Sequence, residues 1–355
     1  MKNTYKMQRL KRFIKDFFFK IAESLISGPF TDLDKIHIAV VEKIENREGV
    51  FLTEHKRPVI ANKFDFPYNS IDAQSIVIQG PLIEKNDFTY QTLKLYTAQL
   101  PPSSIILSTW ENQDQIKLKQ ISDLGITVCL NKMPEYSGIQ NINFQIASTR
   151  SGLIKAMETG ARYVLKTRTD QRIYSTSALR LFNDLTLAFP VTETSQKQRL
   201  IITSLGTIKY RLYGAGDMLM YGEVDDMLNY WNIELDTRKM HVNEPASYSI
   251  KEFSQLRLGE MYFCSKYFEK LGYTLDWTLK QSWELLAKYF CVVDDSSIDL
   301  YWPKYDMRKE FRFKYYTGHT LQHMTFTDWL SLYLQQVGHY PEEYLNLPFG
   351  KEITQ

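Results

Sequence analysis

Three kinds of feature are scarce in this sequence, and each scarcity counts against a class of protein. Its three cysteines lie too far apart for a CxxC pair or a zinc-ligand spacing: Cys129, Cys264 and Cys291. This pattern favours reduced thiols in a cytoplasm over a disulfide framework. The formal net charge is only +2, from 43 basic and 41 acidic side chains, which argues against a general nucleic-acid binder. Without a run of about twenty apolar residues, the sequence predicts no membrane-spanning helix.

Apolar side chains, in contrast, are plentiful. Of the 355 residues, 44% are hydrophobic and 14% are aromatic. This content can bury a sizeable core, so a wholly disordered chain is excluded. The length favours one large domain, or a core domain with substantial additions.

The first segment, residues 1–30, is predicted to form a basic amphipathic helix. Its basic residues outnumber its acidic ones, and apolar residues recur on one helical face: Met7, Leu10, Ile14, Phe17, Phe18 and Ile21. Such a helix can lie on an anionic membrane surface. The alternative is an ordinary helix whose phenylalanine face packs on the body of the protein. A lead-in, residues 31–74, follows; it contains the short apolar run His37–Val41 among Pro, Asn and charged residues, and it is predicted to hold a strand or two.

From Ser75 onward, short apolar runs alternate with helical segments. The predicted strands are Ser75–Gln79, Ile105–Thr109, Ile126–Leu130 and Tyr163–Lys166. This alternation predicts βαβ units and a mostly parallel sheet, in a nucleotide-binding half at residues 75–175. Ligands of such sheets bind beyond the carboxyl ends of the strands, which selects the loops 79–87, 109–114 and 168–172. At the first two loops, the candidates for binding a nucleotide-linked donor substrate are Gln79, Gly80, Pro81 and Thr109.

Residues 176–355 are predicted to form the second half of the same unit, an acceptor-binding half that would hold the molecule to which a group is transferred. Two strands, Arg199–Thr203 and Met218–Tyr221, flank a glycine-rich loop. The predicted helices are Glu223–Trp231, Gln255–Leu271, Leu279–Tyr289 and Phe326–Val337. The last seventy residues are rich in aromatic side chains, so we expect a helical, aromatic-rich C-terminal part.

The segment Lys166–Arg172 carries the strongest chemical signal. Sugar transfer from a nucleotide needs the developing charge on the diphosphate to be neutralised, by a divalent metal on a carboxylate or directly by basic side chains. Asp170 is the candidate metal ligand. The candidate cations for the diphosphate are Arg150, Lys166, Arg168 and Arg172. The alternative is a structural ion pair between Arg168 and Asp170 at the end of the strand.

Transfer also needs a base for the acceptor hydroxyl, and a carboxylate can serve. The two catalytic candidates are Asp217, which follows the flexible Gly214-Ala-Gly216, and Glu260, at the start of a predicted helix. The alternatives are a turn-capping aspartate and a first-turn glutamate favoured by the helix dipole.

Several of these segments resemble the WavE lipopolysaccharide synthesis family. They are Ile76–Pro81, Ile105–Trp110, Ser148–Leu153 and Lys166–Arg172, with weaker likeness at Gly216–Met218 and Trp302–Tyr305. The resemblance implies an α/β, GT-A-like Rossmann-type mixed sheet flanked by helices, and assembly of a bacterial surface glycan such as lipopolysaccharide or capsule. GT-A enzymes usually place Asp-x-Asp at the end of the fourth predicted strand, but here Arg168 stands at the first acidic position. Either Mg²⁺ or Mn²⁺ binds with one protein carboxylate, or Arg168 contacts the diphosphate and makes the metal dispensable.

The expected function is therefore a glycosyltransferase that moves a sugar from a nucleotide-sugar donor to a glycan or lipid-linked glycan acceptor. Together with the basic helix, the resemblance implies a cytoplasmic protein, peripheral on the inner face of the bacterial inner membrane. One alternative is a sugar nucleotidyltransferase, which would want glycines and arginines in loop 79–87, where one glycine and no arginine occur. Another is a non-catalytic membrane-associated scaffold, which the missing acid permits and the retained charges of Lys166–Arg172 oppose.

Overall fold

The computed structural model of the chain describes residues 33–49, 51–52, 57–60, 73–192, 196–306 and 319–351. The chain divides into two units, residues 1–58 and residues 59–355. In the first unit, helix α1 spans Leu33–Glu48, so the apolar run His37–Val41 is helical and is not one of the strands predicted for the lead-in. That run is rich in β-branched residues, which favour strands, but Val40, Val41 and Ile44 also recur at helical intervals of three and four residues. The amphipathic helix predicted in residues 1–30 lies outside the described residues.

Nine strands are described in the second unit. They are β1 Gln74–Gln79, β2 Ile105–Trp110, β3 Thr127–Asn131, β4 Tyr163–Arg168, β5 Arg172–Ile173, β6 Leu200–Thr203, β7 Met220–Glu223, β8 Phe290–Val293 and β9 Leu300–Tyr301. Seven of them form one sheet in the order β3-β2-β1-β4-β7-β6-β8, and β5 pairs with β9 in a separate antiparallel ribbon. Within the large sheet, β7 is antiparallel to both neighbours and all other pairs are parallel. The predicted α/β class with a mixed sheet is confirmed.

The helices of the second unit largely follow the predicted pattern. They are α2 Phe88–Thr97, α3 Gln115–Ser122, α4 Ile142–Glu158, α5 Ala178–Ala188, α6 Val224–Trp231, α7 Ile250–Gln255, α8 Glu260–Lys270, α9 Leu279–Tyr289, α10 Pro303–Asp306 and α11 Phe326–Tyr333. The helix predicted at Gln255–Leu271 is confirmed over Glu260–Lys270, but its first residues are wrong, because Arg257 and Gly259 have positive φ and separate α7 from α8. Among the described helices, none combines the length and the apolar character that a membrane crossing requires.

Helices cover both faces of the sheet, which is why β1 and β2 are buried along their whole length. Helix α4 packs on β1 and β2, and it approaches closely because residue 152 is glycine. A Cβ atom there would lie 2.4 Å from Val77 Cγ1. On the opposite face, Phe182 of α5 packs on Tyr221 of β7, with ring centroids 5.4 Å apart. Registers Val77↔Lys166 and Lys166↔Met220 put Tyr221 on the face opposite Val77.

The order of the strands reverses between β1 and β4. From β1 the chain moves outward to β2 and β3, and then returns through α4 to β4 on the other side of β1. A crevice therefore forms beyond Gln79 and Arg168, the last residues of the two strands. Because β7 runs antiparallel to β4, the segment Gly216–Met218 that precedes it lies at the same edge.

Candidate functional site

Strand β4 brings a buried cation to this edge. Lys166 is fully buried, and its Nζ donates a hydrogen bond to the backbone oxygen of Asp217. The same Nζ lies 4.7 Å from the ring centroid of Trp231, a cation–π contact. Burial lowers the pKa of Lys166 to about 8, against the attraction of the Asp217 carboxylate. Lys166 thus places a compensating charge beneath the edge rather than on the surface.

At the end of β4, Arg168 and Asp170 form a two-point ion pair. Arg168 Nε and Nη2 donate to the Asp170 carboxylate at 2.8 and 3.0 Å. Trp302 Nε1 donates to the same carboxylate at 3.1 Å, and the Trp302 ring centroid lies 5.3 Å from the Arg168 guanidinium. Burial raises the pKa of Asp170, but its bonds to Arg168 and Trp302 outweigh burial and hold that pKa below its usual value. The ion pair considered as an alternative from sequence is therefore present.

This geometry bears on a metal at Asp170. Both carboxylate oxygens already accept hydrogen bonds, one from Arg168 and the other from Arg168 and Trp302. In the part of the chain that the structure describes, no three His, Cys, Asp or Glu side chains are grouped to hold one ion. Three of the about four acceptor sites of the Asp170 carboxylate are thus used, and the guanidinium beside it already supplies the positive charge that a metal would bring, so this donor set does not favour Mg²⁺ or Mn²⁺.

Asp217 lies in the loop before β7 and is 1% exposed. Neither of its carboxylate oxygens has a hydrogen-bond partner among the described residues, so it is not a turn cap. Burial, and next the charge of Glu260, raise the pKa of Asp217 to about 6, against the opposing charges of Lys166 and Arg168. Gly216 permits this placement, because a Cβ atom there would lie 2.9 Å from Thr207 Oγ1.

Glu260 is the first residue of α8 and lies near Asp217, since its charge contributes to the raised pKa of that residue. Its Oε2 is 3.4 Å from Arg211 Nη2, and 14% of its side chain is exposed. Arg211 in turn donates to the backbone oxygen of Gly206. The structure thus gathers five residues singled out from sequence, which we call the charged cluster: Lys166, Arg168, Asp170, Asp217 and Glu260.

Two other predicted cations lie elsewhere. Arg172 is buried and its guanidinium donates to Thr92 Oγ1, to the Phe88 backbone oxygen and to the Val59 backbone oxygen at 2.8–3.1 Å. The structure does not support Arg172 as a diphosphate ligand, because its donors are used to tie β5 to α2. Arg150 is half-buried on α4, and its hydrogen bond within the described residues goes to Asn232 Oδ1 at 3.4 Å.

The donor-side candidates of β1 and β2 differ in accessibility. Gln79 is buried and accepts a hydrogen bond from Ser148 Oγ at 2.8 Å. Gly80 has φ of 125°, and a Cβ atom there would lie 2.8 Å from Thr169 Oγ1, so glycine lets the ends of β1 and β4 approach. Thr109 is buried, whereas Pro81 is exposed. Of these four, only Pro81 presents an open surface to a ligand.

Sequence reasoning missed two residues of this site. Trp302 contacts both members of the Arg168–Asp170 pair; its signals were the weak likeness at Trp302–Tyr305 and its place in an aromatic-rich stretch, which is more often core, so it was not taken as a site residue. Arg211, the partner of Glu260, had no signal at all, because it lies 49 positions away in the chain and no motif surrounds it.

Comparisons with known proteins give one family and several distant structural similarities, of which two are described. A cytidylyltransferase from Leptospira borgpetersenii aligns with a TM-score of 0.30 and 12% identity, over 46% of this chain and 65% of that one. A mannose-1-phosphate geranyltransferase from Thermus thermophilus aligns with a TM-score of 0.30 and 13% identity, over 45% and 62%. The chain thus spans less than two thirds of either protein, and no curated protein sequence matches it. The family model for WavE lipopolysaccharide synthesis matches residues 74–353, which contain the whole charged cluster, and the chain therefore belongs to the WavE lipopolysaccharide synthesis family.

Proposed function

We propose that this protein is a glycosyltransferase that moves a sugar from a nucleotide-sugar donor to a bacterial surface glycan or its lipid-linked precursor. The observation that carries the proposal is the position of the charged cluster beyond β4, where the strand order reverses. Open α/β sheets bind their ligands at such a reversal. Membership of a lipopolysaccharide synthesis family supplies the class of acceptor.

In this proposal Arg168 neutralises the diphosphate of the donor. The diphosphate is already negatively charged in the bound donor, and a planar guanidinium can bind two of its oxygens at once. The Arg168 side chain is 24% exposed at the edge of the sheet, whereas Lys166 is fully buried. Asp170 orients the guanidinium and holds no metal.

Glu260 is proposed as the base that accepts the proton of the acceptor hydroxyl. A base must come within hydrogen-bond reach of that hydroxyl. Glu260 keeps an exposed fraction, while the buried Asp217 carboxylate does not reach the surface. Asp217 therefore acts through its charge, as the buried counter-ion of Lys166.

The test begins with thermal shifts of the full chain against a panel of nucleotide sugars, followed by assay of nucleoside diphosphate release with a lipid-linked glycan acceptor. We expect Glu260→Gln to lower kcat by about 100-fold or more, and a chelator to leave turnover unchanged. Glu269→Gln is the matched control, because Glu269 lies on the same helix and pairs with Arg257 instead. An unchanged kcat in Glu260→Gln would remove Glu260 from the mechanism.

The same assay separates the alternative functions. A sugar nucleotidyltransferase would release pyrophosphate from a nucleoside triphosphate and a sugar phosphate, and would not consume the nucleotide sugar with an acceptor. A scaffold would do neither. Pyrophosphate release without glycan transfer would therefore overturn the glycosyltransferase proposal.

The proposed location is the cytoplasmic face of the bacterial inner membrane, with residues 1–30 as the membrane contact. The support is the basic amphipathic pattern of that segment. Deleting residues 1–30 should abolish sedimentation with vesicles of 30% anionic lipid while leaving the thermal unfolding midpoint of the rest unchanged. Equal sedimentation of the shortened chain would refute this location.

A further inference from the structure

Trp302 contacts both partners of the ion pair at the end of β4. It directly follows β9, and β9 pairs with β5 in the register Arg172↔Tyr301, two residues beyond Asp170. This short ribbon fixes the backbone next to Asp170 and the backbone next to Trp302. The side chain is 2% exposed, so its place is set by packing as well as by hydrogen bonding.

The indole restrains the two partners in different ways. Its Nε1 donates to Asp170 at 3.1 Å, which orients the carboxylate that receives Arg168 Nε and Nη2. Its ring lies beside the guanidinium of Arg168 at 5.3 Å from the centroid, within the range of a cation–π contact. A long arginine side chain loses rotamer entropy when it is ordered. A guanidinium that is already held therefore loses less entropy when it binds a ligand.

We propose that Trp302 is a positioning residue for the donor: it holds Arg168, through Asp170 and through its own ring, in the orientation that receives the diphosphate. This inference rests on the proposed function, which assigns the diphosphate to Arg168. Trp302 itself touches no substrate. Its loss should therefore weaken donor binding more than it slows the chemical step.

Two variants separate the hydrogen bond from the ring. Trp302→Phe keeps an aromatic face and removes the indole N–H, and Trp302→Leu removes both. We expect Trp302→Phe to raise the KM for the nucleotide sugar by about 3- to 10-fold and Trp302→Leu to raise it further, with kcat within about 2-fold of wild type in both.

The matched control is Trp329→Phe. Trp329 is also fully buried, and its Nε1 donates to the Phe290 backbone oxygen at 2.7 Å, in the core beside β8. This variant also loses one buried indole hydrogen bond, but away from the charged cluster, so it should lower the unfolding midpoint without changing the donor KM. Equal changes in KM for Trp329→Phe and Trp302→Phe would show a general effect of destabilisation and overturn the proposal.

A second readout needs no donor. In NMR spectra of the full chain, the Arg168 Nε–H signal, assigned by its loss in Arg168→Lys, should exchange slowly in wild type and in Trp329→Phe. It should exchange much faster in Trp302→Leu. Unchanged exchange in folded Trp302→Leu would overturn the positioning role, and so would faster exchange with an unchanged donor KM. If wild type turns over no nucleotide sugar, the proposed function fails, and the exchange rate alone decides whether Trp302 positions Arg168.

Discussion

Replacing Asp217 with asparagine is expected to stabilise the protein at neutral pH and to lose that benefit in acid. The carboxylate is 1% exposed and has no hydrogen-bond partner among the described residues. Burial raises its pKa from 3.8 to about 6 in the folded protein, with a further contribution from Glu260. The folded protein therefore resists an ionisation that the unfolded chain undergoes freely.

The size and the pH range of the effect follow from these two pKa values. Below pH 3.8 the carboxyl is protonated in both states, and its ionisation has no effect on stability. Between pH 3.8 and about 6 the unfolded chain releases its proton first, so the free energy of unfolding of wild type falls as pH rises. Above pH 6 the loss is complete and equals about 3 kcal/mol. The opposing attraction of Lys166 is already included in this pKa, so the expected net gain from asparagine above pH 6 is about 3 kcal/mol.

The assay is urea unfolding of wild type, Asp217→Asn, Lys166→Met and the double variant, from pH 4.5 to 8. The difference between variant and wild type is compared across pH, because packing effects of the amide do not depend on pH. Lys166→Met should be the least stable of the four at pH 7, since it leaves a buried carboxylate without its counter-ion. A difference between Asp217→Asn and wild type that stays constant from pH 4.5 to 8 would refute a raised pKa for Asp217.

Two further substitutions test the fold and the edge of the site. Gly152→Ala should lower the free energy of unfolding, measured in urea, by about 1–3 kcal/mol, because its Cβ atom would lie 2.4 Å from Val77 Cγ1. The control is Gly338→Ala, which has open space around it and should show no such loss. Arg172→Lys should lower the thermal unfolding midpoint, because lysine cannot reproduce the bonds to Thr92 and Phe88, and should leave the KM for the nucleotide sugar within about 2-fold of wild type. A large rise in that KM would show that Arg172 does contribute to donor binding.

Much of the sheet could be predicted because its strands are short apolar runs bounded by turn residues. Ile76, Val77 and Ile78 are buried on both faces, and such strands read as continuous apolar segments. The helix predicted at Leu279–Tyr289 has the bounds of α9, but β8 was not predicted, because it begins at Phe290 with no turn residue between them. Helix α5 was not predicted, although its buried residues Leu179, Phe182 and Thr186 recur at helical intervals of three and four.

The site was predictable where its residues are neighbours in the chain. Lys166 and Arg168 lie two residues apart on one strand, so their side chains face the same side of the sheet. Asp170 follows at the end of that strand. Arg172 carries the same charge and lies only four residues from Arg168, but the chain turns between them and β5 points the side chain at α2. Sequence spacing does not reveal that turn, and it cannot reveal which basic side chains already have partners.

The charge balance of the site gives a physical reason for Arg168 at a position where GT-A enzymes usually carry an acid. Three carboxylates lie together at this edge, and three cations accompany them: Lys166 with Asp217, Arg168 with Asp170, and Arg211 with Glu260. An acid in place of Arg168 would leave four carboxylates with two cations, an excess that a divalent metal normally offsets. With arginine there, the edge is neutral before any ligand arrives. In the proposed function the diphosphate contacts Arg168 while Asp170 and Trp302 hold the guanidinium, which makes the orientation of that one side chain decisive for donor affinity.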